Sequence, residues 1–119
     1  MSNFRKLRVW QEAQRLVIDA NRIAVRMKGV ASATLRDQAL RAAMSVATNI
    51  VEGSAHTSPR EFCRYLGYSI ASASEFEGHV QLGYDLGMVS KEDLDLILPR
   101  VEAVRMMSHG LIKKLKGAG

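Results

Sequence analysis

Apolar residues in this chain recur at alternating steps of four and three over most of its length, and only two prolines and nine glycines interrupt them. The series Val9, Ala13, Leu16, Ala20, Ile23, Met27 keeps that step, and so do Phe62, Leu66, Ser69, Ala73, Phe76, Val80, Gly83 and Leu94, Ile97, Val101, Val104, Ser108, Leu111, Leu115. A helix returns a side chain to one face every three or four residues, whereas a strand does so every two. The chain therefore reads as all-α, and no strand is needed to place any segment.

Local punctuation divides it into helices over about 5–28, 35–53, 59–86 and 91–116. Lys28-Gly29 closes the first, and Thr34-Leu35-Arg36-Asp37 has the form of a capping box for the second. Ser58-Pro59-Arg60-Glu61 is a strong start signal for the third, because serine caps, proline suits the first helical position and glutamate completes the box. Ser90 and Asp93 open the fourth, which is expected to fray into Lys116-Gly117-Ala118-Gly119. Pro99 deletes the amide that would bond the Asp95 carbonyl and is expected to bend this helix. Long helices joined by short turns pack antiparallel to their neighbours, so an up-down-up-down four-helix bundle is expected, as one domain over residues 1–119.

Composition narrows the function classes. A single cysteine, Cys63, excludes an intramolecular disulfide framework and cysteine-rich zinc modules. No apolar run has the length of a signal peptide or a membrane span, so a cytoplasmic protein with no membrane partner is expected. Di-iron bundles need inward glutamates and Glu-x-x-His pairs. Here Glu75 precedes His79 by four and Glu102 precedes His109 by seven, and the remaining histidine, His56, adds no metal signature. No metal and no cofactor is expected. Nucleophile elbow, P-loop and glycine-rich nucleotide fingerprint are all missing, so no catalytic residue is assigned, although residue types alone do not exclude a Ser/His/Asp arrangement. Cys63, near a helix start, reads as a small hydrophobe rather than an activated thiol.

The second helix has two apolar lines, Ala39, Ala42, Val46, Ile50 and Leu40, Met44, Ala47, Val51, leaving Arg41, Ser45, Thr48 and Glu52 as a narrow polar stripe. On the first helix Trp10, Val17 and Ala24, with Ile18 and Val25, lie off the main seam. One apolar face suffices inside a bundle, so the second points to self-association. On the third helix Gly67, Ala71, Ser74 and Gly78 form a stripe of small residues, expected to let another helix backbone approach closely; a ligand crevice is the alternative.

Charge supplies the remaining candidates. The chain carries 17 Lys and Arg against 12 Asp and Glu, a formal charge of +5. Seven basic residues face two acidic ones in 1–28, two face two in 29–53, two face four in 54–89 and six face four in 90–119. Arg8, Glu12, Arg15, Asp19, Arg22 and Arg26 share one helical line and can pair along it. The surplus lies at Arg5, Lys6, Arg8, at Arg22, Arg26, Lys28, and at Lys113, Lys114, Lys116, which are the candidate contacts to nucleic-acid phosphate. Phe4 and Trp10 lie near the first cluster, whereas Tyr65, Tyr68 and Tyr84 fall in the acidic segment and are expected to form no stacking platform.

The residues Leu7, Val9-Trp10-Gln11 and Ala13, then Gln38, Arg41-Ala42 and Ser45, lead into Asn49-Ile50-Val51-Glu52-Gly53, followed by Ser58, Glu61-Phe62, Leu66, Ser72, Glu75, Glu77 and Leu86-Gly87. In these the chain resembles, over nearly its whole length, the four-helix bundle proteins encoded within 23S rRNA intervening sequences, relatives of the accessory proteins of diversity-generating retroelements. The Asn-Ile-x-Glu-Gly element is the specific part. The resemblance implies a cytosolic bundle that closes into a ring-shaped homopentamer, a role tied to RNA and no enzyme activity. The chain departs from the family at Ala71, where a glycine is usual, at Gly29-Val30-Ala31, where an aromatic and a proline are usual, and at Pro99. Asn49 and Glu52, at the end of a mostly buried helix, suit a structural polar network: Asn49 is expected to bond backbone across the turn, and Glu52 to answer Arg41 or Arg60.

Overall fold

Four helices form where the apolar period persists: α1 Arg8–Arg26, α2 Ser32–Ala55, α3 Pro59–Asp85 and α4 Lys91–Ala118. They are seen in a computed structural model that describes residues 3–118 of the chain. Met1, Ser2 and Gly119, the two ends of the expected domain and the last residue of the expected frayed tail, lie outside the described residues. No strand occurs among the described residues. Cross-helix contacts fix the directions. Arg26 meets Asp93 and Arg100 meets Glu12, Ser45 meets Ser72, and Cys63 meets Ile112. Each helix therefore runs antiparallel to its neighbours, and the bundle is a rod of 48 × 20 × 20 Å.

The expected seams are the core. All six α1 seam residues are buried, with Leu66, Ala73, Phe76 and Val80 of α3, Leu94, Ile97, Val101 and Val104 of α4, and the Ala39, Ala42, Val46, Ile50 line of α2. Each large side chain removed from water there is worth about 1.5–3 kcal/mol.

Helix ends depart from expectation in several places. Leu7 is extended, so the first helix begins at Arg8 rather than Arg5, and Phe4–Lys6 form a 3-10 turn capped by the Asn3 side chain, which accepts from the Arg5 amide. That turn folds Phe4 edge-on against Trp10 at 5.1 Å and is tied by Gln11 Nε2 donating to the Arg5 carbonyl at 2.9 Å. At the other end α1 stops at Arg26, two residues early, because Met27 is extended. Gly29 adopts φ +124°, a conformation that L side chains rarely take, and the chain reverses quickly enough for α2 to start at Ser32. Thr34 consequently sits inside the first turn of α2 and is not its cap, and no side chain caps at Ala31. Ser58 does accept from the Glu61 amide, and Ser90 from the Asp93 amide. The fourth helix continues unbroken through exposed Pro99, and it stays helical through Lys116, Gly117 and Ala118 where fraying was expected.

One core polar group stands apart. Ser108 on α4 is fully buried and its Oγ has no hydrogen-bond partner among the described residues, unlike Ser69, which donates to the Val46 carbonyl at 2.9 Å. An unsatisfied buried hydroxyl costs about 1 kcal/mol or more. Ser108→Ala is therefore expected to raise unfolding stability by about 1 kcal/mol in urea titration, and Ser69→Ala to lower it.

Candidate nucleic-acid interface

Because the helices alternate, α1 and α3 begin at the end where α2 and α4 finish. That end gathers Arg5, Lys6, Arg8, Arg60, Arg64, Lys113, Lys114 and Lys116, opposed by Glu52 and Glu61. The far end holds Arg22, Arg26, Lys28, Arg36 and Lys91, matched by Asp37, Asp85, Glu92, Asp93 and Asp95. The whole formal surplus thus belongs to one end of the rod. The nine basic residues expected from the sequence do not form one site. Arg8 and Arg26 lie about 27 Å apart along a single helix at 1.5 Å per residue, so Arg22, Arg26 and Lys28 are separated from the other six.

Pairing sharpens the division. Arg26 is bidentate on Asp93, at 2.7 and 3.0 Å. The bond to Asp93 raises the Arg26 guanidinium above its already high ordinary value. Arg22 approaches Asp19 at 3.6 Å and Arg15 approaches Glu12 at 3.4 Å, as the α1 charge line anticipates. The same two acids are also gripped across the bundle by Arg100 of α4, at 3.0 Å to Glu12 and 3.1 Å to Asp19. Arg100, likewise raised, first by its hydrogen bond to Glu12, had no mark in the sequence.

At the cationic end two grooves collect most of the basic groups, of which Arg64 is paired with Glu61 at 2.8 Å. One, of about 480 Å³ between the start of α1 and the end of α4, is lined by Lys6, Arg8 and Lys114 beside Met107 and Leu111. The other, of about 710 Å³ between the start of α3 and the end of α4, is lined by Arg60, Arg64 and Lys116 beside Cys63 and Leu115. Sequence counting missed Arg60 and Arg64, since 54–89 is acidic as a whole; the antiparallel order was the signal that could have found them. Cys63 lies half-buried with its Sγ 3.8 Å from the Ile112 carbonyl.

Two of the three tyrosines take part in ring contacts within the chain. Tyr65 stacks on His56 at 5.2 Å with 18° between the rings, and Tyr68 meets Tyr65 edge-on at 5.6 Å. The Arg64 guanidinium lies 5.2 Å from the Tyr65 ring centre and 5.7 Å from that of Tyr68. Arg64 is the residue shared between these aromatic contacts and the lining of the second groove, while Tyr84 is at the neutral end.

The Asn49-to-Gly53 corner supports this end. Asn49 Nδ2 donates to the Ser45 carbonyl at 2.8 Å and to Ser45 Oγ at 3.0 Å, and Ser45 Oγ lies 2.8 Å from Ser72 Oγ of α3. The polar network exists, but it runs from α2 to α3 rather than across the turn. Glu52 is exposed and pairs with neither Arg41 nor Arg60 among the described residues; Arg41 itself is exposed, three turns back on α2. Gly53 is the close-packing position: a Cβ there would lie 2.7 Å from Tyr65 Cβ and 2.9 Å from the Phe62 ring. By contrast Gly67, Ala71, Ser74 and Gly78 are all exposed, and a Cβ on Gly67 or Gly78 would meet open space, so no helix backbone packs closely on those glycines, although Arg105 of α4 donates to Ser74 Oγ at 3.1 Å.

From the cationic end toward the middle of the rod, α1 and α2 leave an apolar groove of about 320 Å³ lined by Phe4, Trp10, Val17, Ile18, Met44 and Val51 among others. Ile18 is 45% exposed and Met44 54%. The second apolar lines of α1 and α2 thus meet on the surface. Among the described residues no group of three or more His, Cys, Asp or Glu converges to hold a metal, and no helix is long and apolar enough to cross a membrane.

Fold and site together define a small antiparallel four-helix bundle with one cationic end. The family described as 23S rRNA-intervening sequence protein matches residues 5–110, and the chain belongs to it. The crystal structure of a protein of unknown function from the S23 ribosomal protein family of Bacteroides thetaiotaomicron is similar, with a TM-score of 0.79 at 18% identity, covering 88% of this chain and 98% of that one. No curated protein matches the chain.

Proposed function

We propose that this chain is a non-enzymatic, cytoplasmic, self-associating bundle that binds structured RNA through its cationic end. The confinement of the charge surplus to one end carries the reading, because phosphate is the partner such a surface attracts. Lys6, Arg8 and Lys114 in one groove and Arg60 and Lys116 in the other are its contacts, with Arg5 and Lys113 flanking them. Arg22, Arg26 and Lys28, at the balanced end, are left out. The apolar groove between α1 and α2 supports assembly with further copies, and five copies in a ring is the assembly that the family resemblance implies.

Titrating a labelled ribosomal RNA stem–loop across salt concentrations tests this. Affinity is expected to fall steeply as salt rises, and replacing Lys113, Lys114 and Lys116 with glutamine is expected to weaken binding about tenfold and flatten the salt slope. Lys28→Gln should change neither. No retention of RNA at low ionic strength removes the RNA reading, leaving a bundle whose apolar groove and basic rim serve a protein partner. Light scattering checks assembly, and a mass near 13.2 kDa would contradict it.

A further inference from the structure

The cationic end is chemically two-sided. The groove beside α1 offers only cations and aliphatic side chains, Lys6, Arg8 and Lys114 with Met107 and Leu111. The groove beside α3 is lined by Lys116, Arg60 and Arg64 together with Glu61, and of these Arg64 also reaches the Tyr65 and Tyr68 rings of the neighbouring His56–Tyr65–Tyr68 cluster. His56 is exposed and Tyr68 is 46% exposed, so neither ring is consumed by the core. Tyr65 is half-buried and locked between its neighbours: His56 stacks on it, Tyr68 abuts it, and its Cβ sits against Gly53. Arg64 is anchored in turn, bonded to Glu61 Oε1 at 2.8 Å and to the Tyr68 hydroxyl at 3.1 Å. The rings and the guanidinium are therefore held in place before any ligand arrives, which lowers the ordering cost of binding.

Fixed, half-exposed rings next to a cationic groove match an unpaired nucleotide. A base within a duplex keeps both faces covered by its neighbours, and the major groove of an A-form helix is too deep and narrow for side chains to read. A base in a loop, bulge or free end has a face to offer, and its flanking phosphates need cations at about one nucleotide's reach. Resting on the RNA-binding reading above, we infer that the α2–α3 corner receives an unpaired base on the His56–Tyr65–Tyr68 cluster, which Arg64 braces, with Arg60 and Lys116 holding the adjoining phosphates. The groove beside α1 engages backbone alone. The chain then selects single-stranded elements of a structured RNA over continuous helix.

Three probes of equal phosphate count separate the cases: a stem–loop RNA, a blunt RNA duplex, and a DNA copy of the stem–loop. Wild-type protein is expected to bind the RNA stem–loop about tenfold more tightly than the duplex, since one stacked base contributes that much. Tyr68→Leu, at an exposed position, should remove most of this preference while leaving duplex affinity and its salt slope unchanged. His56→Ala should act in the same direction. Tyr84→Leu, at the neutral end, should bind as wild type does. DNA stem–loop binding equal to that of RNA would assign the site to unpaired bases of either sugar. Equal affinity for stem–loop and duplex, or a Tyr68→Leu protein that keeps the preference, overturns the inference while leaving RNA binding intact. Failure of wild type to bind any of the three probes overturns both.

Discussion

Gly53→Ala is expected to destabilise the bundle by about 2 kcal/mol, although alanine is the better helix former. In an exposed helix interior the exchange favours alanine by about 1 kcal/mol. Against that stands a Cβ only 2.7 Å from Tyr65 Cβ. The Phe62 ring, at 2.9 Å, can swing aside, but a Cβ is fixed to its own backbone, so α2 and α3 must separate. Forcing an extra carbon into a packed contact typically costs 1–3 kcal/mol, and here the shift also strains the Asn49–Ser45–Ser72 network one to two turns away. Gly67→Ala is the internal contrast. Its Cβ would project into open space on an exposed face, so it should stabilise by up to about 1 kcal/mol. Urea titration of the two variants reads opposite signs. A Gly53→Ala protein at least as stable as wild type would contradict the close approach of α2 and α3.

Arg100→Met is expected to cost about 2–3 kcal/mol. Glu12 and Asp19 are 8% and 9% exposed, and among the described residues Arg100 is the single group that reaches both from the opposing helix. Arg15 and Arg22 remain near them, but their side chains are more than half exposed and their contacts longer, at 3.4 and 3.6 Å. Surface pairs of that kind contribute at most about 1 kcal/mol each, whereas stripping the partner from a mostly buried charge is strongly destabilising, at about 3–5 kcal/mol when burial is complete. The partial access of Arg100 to solvent, at 33%, places the expectation below that range. Adding Glu12→Gln and Asp19→Asn to Arg100→Met should restore much of the loss, because it removes the charges left behind. If Arg100→Met unfolds at the wild-type urea concentration, the clamp contributes nothing.

The seams of all four helices were legible because a 3.6-residue period is a local property, written wherever a helix buries one face. Leu7 and Gly29 show why the ends of α1 and α2 were not. The extended Leu7 is tied to Phe4 packing on Trp10, and the early start of α2 to a glycine conformation; neither leaves a periodic trace. The glycines teach a related lesson. Gly67 and Gly78 stood out for their spacing, yet Gly53 and Gly83 are the crowded ones, because only the pairing of helix faces decides where space is short. A Cβ on Gly83 would lie 2.7 Å from Val89. Charge followed the same rule: counted along the chain, Arg60 and Arg64 vanish into an acidic segment, while counted by end of the rod they join Lys116. The candidate surface was thus half visible, its α1 and α4 parts in sequence and its α3 part only through topology.

Antiparallel helices cancel their macrodipoles in pairs, yet this molecule is electrically lopsided. Side chains alone place the excess at one tip of a 48 Å rod whose other tip is balanced. Such a body experiences a torque in the field of any polyanion and turns end-on as it approaches. The effect is confined to the last stretch of the approach, since physiological salt screens fields beyond about 8 Å. Copies set side by side in the same sense add their moments, and copies set side by side in opposite senses cancel them. Transient electric birefringence would therefore report the relative sense of neighbouring rods in an assembly.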